Sequence, residues 1–228
     1  MTSNRDEAPH RNAIELRHQS RDTQELIYPV DPAAGGSWFC ISNHDKIACL
    51  LNGAYVPFTP DPRYTQSRGI VLLDLVANDS IHTFLKTYDL MQTAPFTAVI
   101  ASHRHVHELV WDGIKTHVRE MDPGAPAFWS SVTLYPEEVR LWRKALFQGW
   151  VALHHDFDQE TIMHFHQYGS KGDPWNGFVM NREERVKTLS ITSAKRSTER
   201  IELHHADLTS GTSCIETLNL ASSHVDKD

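Results

Sequence analysis

Two apolar runs separated by a polar turn constrain this chain more than any other feature. Ser37-Trp38-Phe39-Cys40-Ile41-Ser42 and Ile47 to Leu51 are strand-like, Asn43-His44-Asp45-Lys46 between them is turn chemistry, and Asn52-Gly53 ends the second run. The pair predicts a β-hairpin. Phe96 to Ala101, Val106 to Trp111 and Ile114 to Val118 continue as a meander, with Asp112-Gly113 as a tight turn. Phe128 to Ser131, Lys187 to Ser193 and Arg200 to Leu203 read as further strands. Ile14 to Leu16 and Glu25 to Tyr28 read as short strands around a polar segment, Arg17 to Gln24. Helices are expected at Arg68 to Ala77, at Ser80 to Tyr88 with Asp79 or Ser80 as N-cap, at Pro136 to Trp150, and at Asp158 to Tyr168. Pro29 to Gly36, Pro57 to Tyr64 and Asp173 to Gly177 are loops by their Pro, Gly and Asp content. Antiparallel strands with helices between and after them predict an α+β layered domain.

The 228 residues suffice for one well-buried core, so one domain is expected over 1–208. Residues 209–228 turn small and polar and read as a C-terminal tail open to disorder. A net charge of −7 offers no broad basic surface for nucleic acid. Cys40, Cys49 and Cys214 form no Cys-x-x-Cys pair, and an odd count without a secretory leader fits a reducing, cytoplasmic setting. No apolar run approaches the ~20 residues that span a bilayer.

Four ordered blocks carry a resemblance. Asn4-Arg5-Asp6-Glu7 is the first. Gly35-Gly36-Ser37-Trp38 with Ser42, Lys46, Ala48 and Leu50-Leu51-Asn52 is the second. Ser67-Arg68-Gly69 opening a helix is the third, and Trp129-Ser130-Ser131 with Leu134, Glu138, Arg140 and Lys144 is the fourth. Together they resemble the NRDE family, the family of the transport and Golgi organisation proteins. One departure lies in the hairpin, where Asp45 stands in place of the usual Gly before the lysine.

The resemblance implies a four-layer αββα sandwich of two antiparallel sheets, similar to the N-terminal-nucleophile hydrolases. It places Asn4 and Asp6 beside a nucleophile, Asn52 in an oxyanion-type position, Ser131 where relatives often have Asn, and Arg185 near a late basic residue. It makes Asn4, Arg5, Asp6, Glu7, Trp38 and Asn52 the expected ligand-binding set. Each also has a plain reading: Asn52 as a turn residue, Ser131 as a strand end, Arg185 as one charge in the run Arg182 to Lys187, and Asp6 paired with Arg5 or Arg11. The family pattern also implies an N-terminal strand carrying a cysteine, absent ahead of Thr2 here. The resemblance therefore leaves either an internal recorded start or a lost nucleophile.

Histidine is the compositional outlier, at 15. His103, His105 and His107 alternate, as ligands on one strand face do, but Ser102 to His105 falls where the hairpin turns. His164 and His166 point apart at i and i+2 on a helix. His154-His155 lie near a helix, and His204-His205 end a strand on opposite faces. No metal site is expected. Two function classes follow. One is a carrier of a small hydrophobic ligand, haem or an acyl lipid, with no required cofactor. The other is an N-terminal-nucleophile-type hydrolase of a non-peptide C–N amide bond, which needs an upstream Met-Cys start. Oligomeric state is not encoded in these patterns.

Overall fold

A computed structural model describes residues 1–13, 15–154, 157–170 and 172–221. Ile14, His155 and residues 222–228, each part of an expectation above, lie outside the described residues. The strands are β1 (Thr2–Glu7), β2 (Leu16–Arg21), β3 (Gln24–Pro29), β4 (Phe39–Ser42), β5 (Lys46–Asn52), β6 (Phe96–Ala101), β7 (Val106–Trp111), β8 (Thr116–Met121), β9 (Asn181–Arg182), β10 (Val186–Arg196), β11 (Arg200–Asp207) and β12 (Thr212–Asn219). The helices are α1 (Arg68–Ala77), α2 (Ile81–Thr87), α3 (Glu137–Leu153) and α4 (Gln159–Tyr168), with a short 3-10 turn at Pro9–Arg11.

Two antiparallel sheets make an α+β sandwich. One runs in the order β2-β3-β4-β5-β6-β7-β8; the other runs β1-β10-β11-β12, with β9 also paired to β10. The apolar hairpin explains the layering. Cys40 and Ala48 point into a core shared with Leu72, Leu73 and Val76 of α1 and Phe84 of α2. Their strand neighbours Phe39, Ile41, Ile47 and Cys49 point the other way, into a core with Ala194, Ile201, Leu203 and Leu218 of the smaller sheet. A strand buried on both faces has no polar side to alternate with, which is why these runs are apolar throughout. On the outer side of the smaller sheet, α4 packs against β1 and β10. The order of layers is therefore helix, sheet, sheet, helix.

The second and third sequence blocks meet backbone to backbone. The Ser37 N–H donates to the Gly69 carbonyl at 3.3 Å. A Cβ on Gly36 would lie 2.4 Å from the Gly69 carbonyl carbon. Only glycine allows that approach, and it fixes the start of α1 beside β4. At the hairpin turn Asp45 takes φ +59°, the left-handed region a glycine enters freely. Its carboxylate accepts from Arg196 Nη2 (3.1 Å) and from the His103 N–H (3.0 Å), so the side chain is tied down in a turn shape that its backbone disfavours.

Four expectations need correction. Arg17 to Gln24 is no polar break: Leu16–Arg21 and Gln24–Pro29 pair directly, turning at Asp22, because an edge strand tolerates polar residues on its open side. Phe128 to Ser131 forms no strand; those side chains face a cavity described below. The meander's last strand starts at Thr116, two residues later than Ile114. Thr212 to Asn219 pairs along β11, so part of the expected tail is a sheet edge whose polar residues stay exposed. Among the described residues no helix is long and apolar enough to cross a membrane.

Candidate functional site

The Asn-Arg-Asp-Glu block is the end strand β1, paired to β10, and a strand sends successive side chains to opposite faces. The register slips between Arg5 and Asp6, so Thr188 rather than Leu189 lies opposite Asp6.

Arg5 and Glu7 belong to an ionic cluster. Arg5 is 6% exposed. Its Nη2 reaches Asp31 at 3.1 Å, and its guanidinium lies 3.8 Å from the Trp38 ring centre. Arg11 bridges Asp31 and Glu7, the latter at 2.6 Å. Burial pulls the Arg5 pKa down to about 10, with Asp31 opposing. Burial also works against the Asp31 charge, but the Arg11 hydrogen bond, the Ala33 N–H and Arg5 hold its carboxyl below the usual range.

Asn4 and Asp6 meet different partners. Asn4 Nδ2 donates to the carbonyls of His166 (3.0 Å) and Phe178 (2.6 Å). That orientation aims Asn4 Oδ1 at His166 Nδ1, 2.7 Å away. The imidazole therefore carries its proton on Nδ1 and keeps a lone pair on Nε2. Loss of water around the ring pushes the His166 pKa down to about 3, with Arg143 adding to the effect. Asp6 accepts from the Tyr135 hydroxyl at Oδ2 (2.6 Å) and from Thr188 Oγ1 at Oδ1 (2.6 Å). Burial first and the Asp6 charge second push the Tyr135 pKa up, with Arg143 opposing.

A cavity of about 790 Å³ runs along β1 and takes in both sets of residues. Asn4, Arg5, Asp6, Glu7, Trp38, Asn52 and Ser131 all line it. Ser131 Oγ donates to the Asn52 carbonyl (2.9 Å), tying the end of β5 to the segment before α3. Arg185 does not join them. It sits on the exposed turn before β10, 3.4 Å from Glu183, because the chain reverses there with Glu183 and Glu184 at positive φ.

The rest of the lining went unread in the sequence. Phe147 of α3 stacks on Phe128 (5.3 Å between ring centres), Trp150 stacks on Phe165 of α4 (4.6 Å), and Phe165 meets Phe178 (4.9 Å). Arg143, Phe147 and Trp150 recur at helical spacing, a signal that was available in the sequence. Tyr135 and His166 carry no local signal, since long-range folding delivers them. Cys49 lines the cavity as well, and burial pushes its thiol pKa up to about 11.

Among the described residues the other histidines do not line the cavity. His105 and His107 stack at 5.9 Å, and His105 Nδ1 lies 2.7 Å from Glu120 Oε1. The Ser102 N–H donates to the His105 carbonyl (2.8 Å), which makes the turn. Among the described residues no group of three or more His, Cys, Asp or Glu is placed to hold a metal ion.

Comparison with curated proteins found no match. The family model described as Transport and Golgi organisation 2 matches residues 1–144 of the 228. That span contains Asn4 to Glu7, the glycine contact and α3 as far as Lys144; His166 and Phe178 lie beyond it. With more than half its length matched, the chain belongs to the Transport and Golgi organisation 2 family, the family of the Asn-Arg-Asp-Glu signature.

Proposed function

We propose that this protein binds a small hydrophobic ligand, haem or an acyl lipid, in the cavity along β1, and carries it rather than converting it. The cavity itself supports this most. At about 790 Å³ it is of ligand size, apolar along the aromatic wall, and supplied with a few convergent polar groups from β1. Asn4, Arg5, Asp6, Glu7 and Asn52 supply its polar groups, with the Trp38 ring under Arg5 beside them. Cys49, the thiol in the lining, is kept neutral by burial and so is a poor nucleophile. For haem, the cavity offers His166 Nε2, an imidazole nitrogen already in the tautomer that iron requires. We place the protein in the cytoplasm on its free cysteines.

The test is a haem titration followed by absorbance, with palmitate binding measured in parallel. A saturable Soret shift, lost on His166→Ala and unchanged when His103, His105 and His107 are all replaced by Ala, supports haem as cargo. Absence of both haem and palmitate binding overturns the carrier reading. The amide-hydrolase reading is favoured by one observation: the amides of Asn4 and Asn52 and the Asp6 carboxylate line one cavity with the Thr2 and Ser3 hydroxyls. It needs a nucleophile with a base within reach. Hydrolysis of an acyl-amide substrate, lost on Asp6→Ala, would reverse the ranking.

A further inference from the structure

Among the described residues, Arg143 is a buried cation without a carboxylate partner. It projects from the middle of α3 and is 5% exposed. Its guanidinium lies 4.0 Å from the Tyr135 ring centre and 5.1 Å from that of Phe178. Among the described residues it has no carboxylate partner, and its Nε is buried without a hydrogen bond. The neighbouring acids are committed elsewhere. Asp31 and Glu7 hold Arg5 and Arg11, and Asp6 accepts from Tyr135 and Thr188. Arg68, also in the lining, donates to the Pro95 carbonyl (3.4 Å) and lies 5.6 Å from the Phe58 ring centre.

Buried charges in proteins are ordinarily paired, because removing an ion from water is costly unless an opposite charge replaces the water. Aromatic faces offset part of that cost; of the planar N–H donors, one is shared with the Tyr135 hydroxyl while Nε is buried without a hydrogen bond. Here those donors stand beside the cavity, at the end of the ring series Phe178, Phe165 and Trp150. We infer that Arg143 pairs with the acid group, a carboxylate or a phosphate, of an amphiphile whose apolar body lies along Phe147, Trp150 and Phe165. This rests on the cavity being a ligand site, and it adds what that site selects: an acid headgroup at the aromatic end.

Binding of palmitate, hexadecyl phosphate and 1-hexadecanol to the full chain, read by Trp fluorescence at fixed pH and salt, tests it. The three share an alkyl body and differ in the head. Both acids should bind roughly tenfold or more tighter than the alcohol, the discrimination expected of a charge-assisted hydrogen bond. Whichever acid is tighter identifies the source of the charge. Arg143→Gln should remove that preference while hexadecanol binding changes less than about twofold. Phe147→Ala should weaken all three alike. If Arg143→Gln does not fold, the wild-type ratio still decides. Equal binding of acids and alcohol by the wild type overturns the inference and leaves the apolar site standing. Equal loss of acids and alcohol in a folded Arg143→Gln also overturns it. Failure of all three to bind removes the ligand site itself.

Discussion

The two faces of β1 solve the same problem in opposite ways. On one, Arg5 is buried against Trp38 and neutralised by Asp31, which Arg11 in turn holds. The charges of that cluster are paired, although Arg5 Nη1 and Arg11 Nε are buried without hydrogen bonds. On the other, Asn4 and Asp6 spend their side chains on neutral partners: two carbonyls, an imidazole, a phenol and a threonine hydroxyl. Arg143, a cation on that side, has no carboxylate partner among the described residues. Four adjacent letters of one signature thus divide into a structural clamp and an open polar floor. The comparison teaches that residues of one motif lining one cavity can still divide its work, since strand alternation gives them different partners.

If the clamp is structural, breaking it should cost the most. Asp31→Asn leaves Arg5 buried without its counter-charge, and such losses run to about 3–5 kcal/mol. Denaturant unfolding of the variant measures this. A change below about 1 kcal/mol, the range of an exposed ion pair, would show that the cluster is solvated and the contrast between the faces unfounded.

Acid separates the faces next, because each meets one histidine. His205 is 6% exposed, 6.3 Å from Trp38, with Nδ1 2.8 Å from Thr192 Oγ1. Burial, with Arg5 adding and Asp207 opposing, lowers its pKa from 6.5 to about 4. In the unfolded chain it titrates near 6.5, so between those values the unfolded state binds the extra proton. Stability is therefore full above about 6.5 and falls as pH drops toward 4, by about 3 kcal/mol from this residue. His166 acts in the same direction and continues to about 3. His205→Gln should flatten the upper part of the pH–stability curve, and His166→Gln should extend the flattening lower. A curve unchanged by His205→Gln would mean that folding does not shift the pKa of the ring.

Much of this architecture was legible because it is local. The apolar hairpin, α1 at Arg68 to Ala77 and the strands Phe96 to Ala101 and Val106 to Trp111 follow from runs and periodicity alone. The Ser80 cap of α2, accepting from the Thr83 N–H at 3.1 Å, is a local signal too. What failed was polar or contextual. The hairpin at Arg17 to Gln24 has strand geometry without strand composition. Phe128 to Ser131 looked like a strand because it opens with two aromatic residues, yet Phe128 and Trp129 line a cavity. The polar end of that cavity was visible as four letters in a row. Its aromatic end was not, since Phe128, Phe147, Phe165 and Phe178 converge only through the long-range packing of α3 and α4. Arg185 was placed by analogy with a late basic residue, and a turn carries it away.

Asn4→Ala should cost less than the clamp, about 2 kcal/mol, by leaving the His166 carbonyl without a donor and the Phe178 carbonyl with only the shared Thr188 hydroxyl (3.2 Å). Its sharper signature is chemical. With Asn4 Oδ1 gone, nothing on this strand fixes the His166 tautomer, so NMR of the imidazole nitrogens should show a shift from one protonated site to a mixture. An unchanged tautomer would mean that Asn4 does not orient the ring.

The smallest effect, and the most diagnostic, is expected of Asp6→Asn. The amide keeps an oxygen where the carboxylate was, so one of the hydroxyls from Tyr135 and Thr188 still has its acceptor, and the amide nitrogen can donate to the other. The loss is the difference between charge-assisted and neutral hydrogen bonds, about 1 kcal/mol. Removing the Asp6 charge also removes one cause that raises the Tyr135 pKa, while Arg143 continues to oppose the rise, so the phenol should ionise at lower pH than in the wild type. Ultraviolet difference titration reads that directly. The two readouts together test the division of β1. A small stability loss with a lowered phenol pKa is the behaviour of an open polar floor. A loss as large as that of Asp31→Asn would make Asp6 a second clamp, and a phenol that does not move would mean that its pKa is set by burial alone.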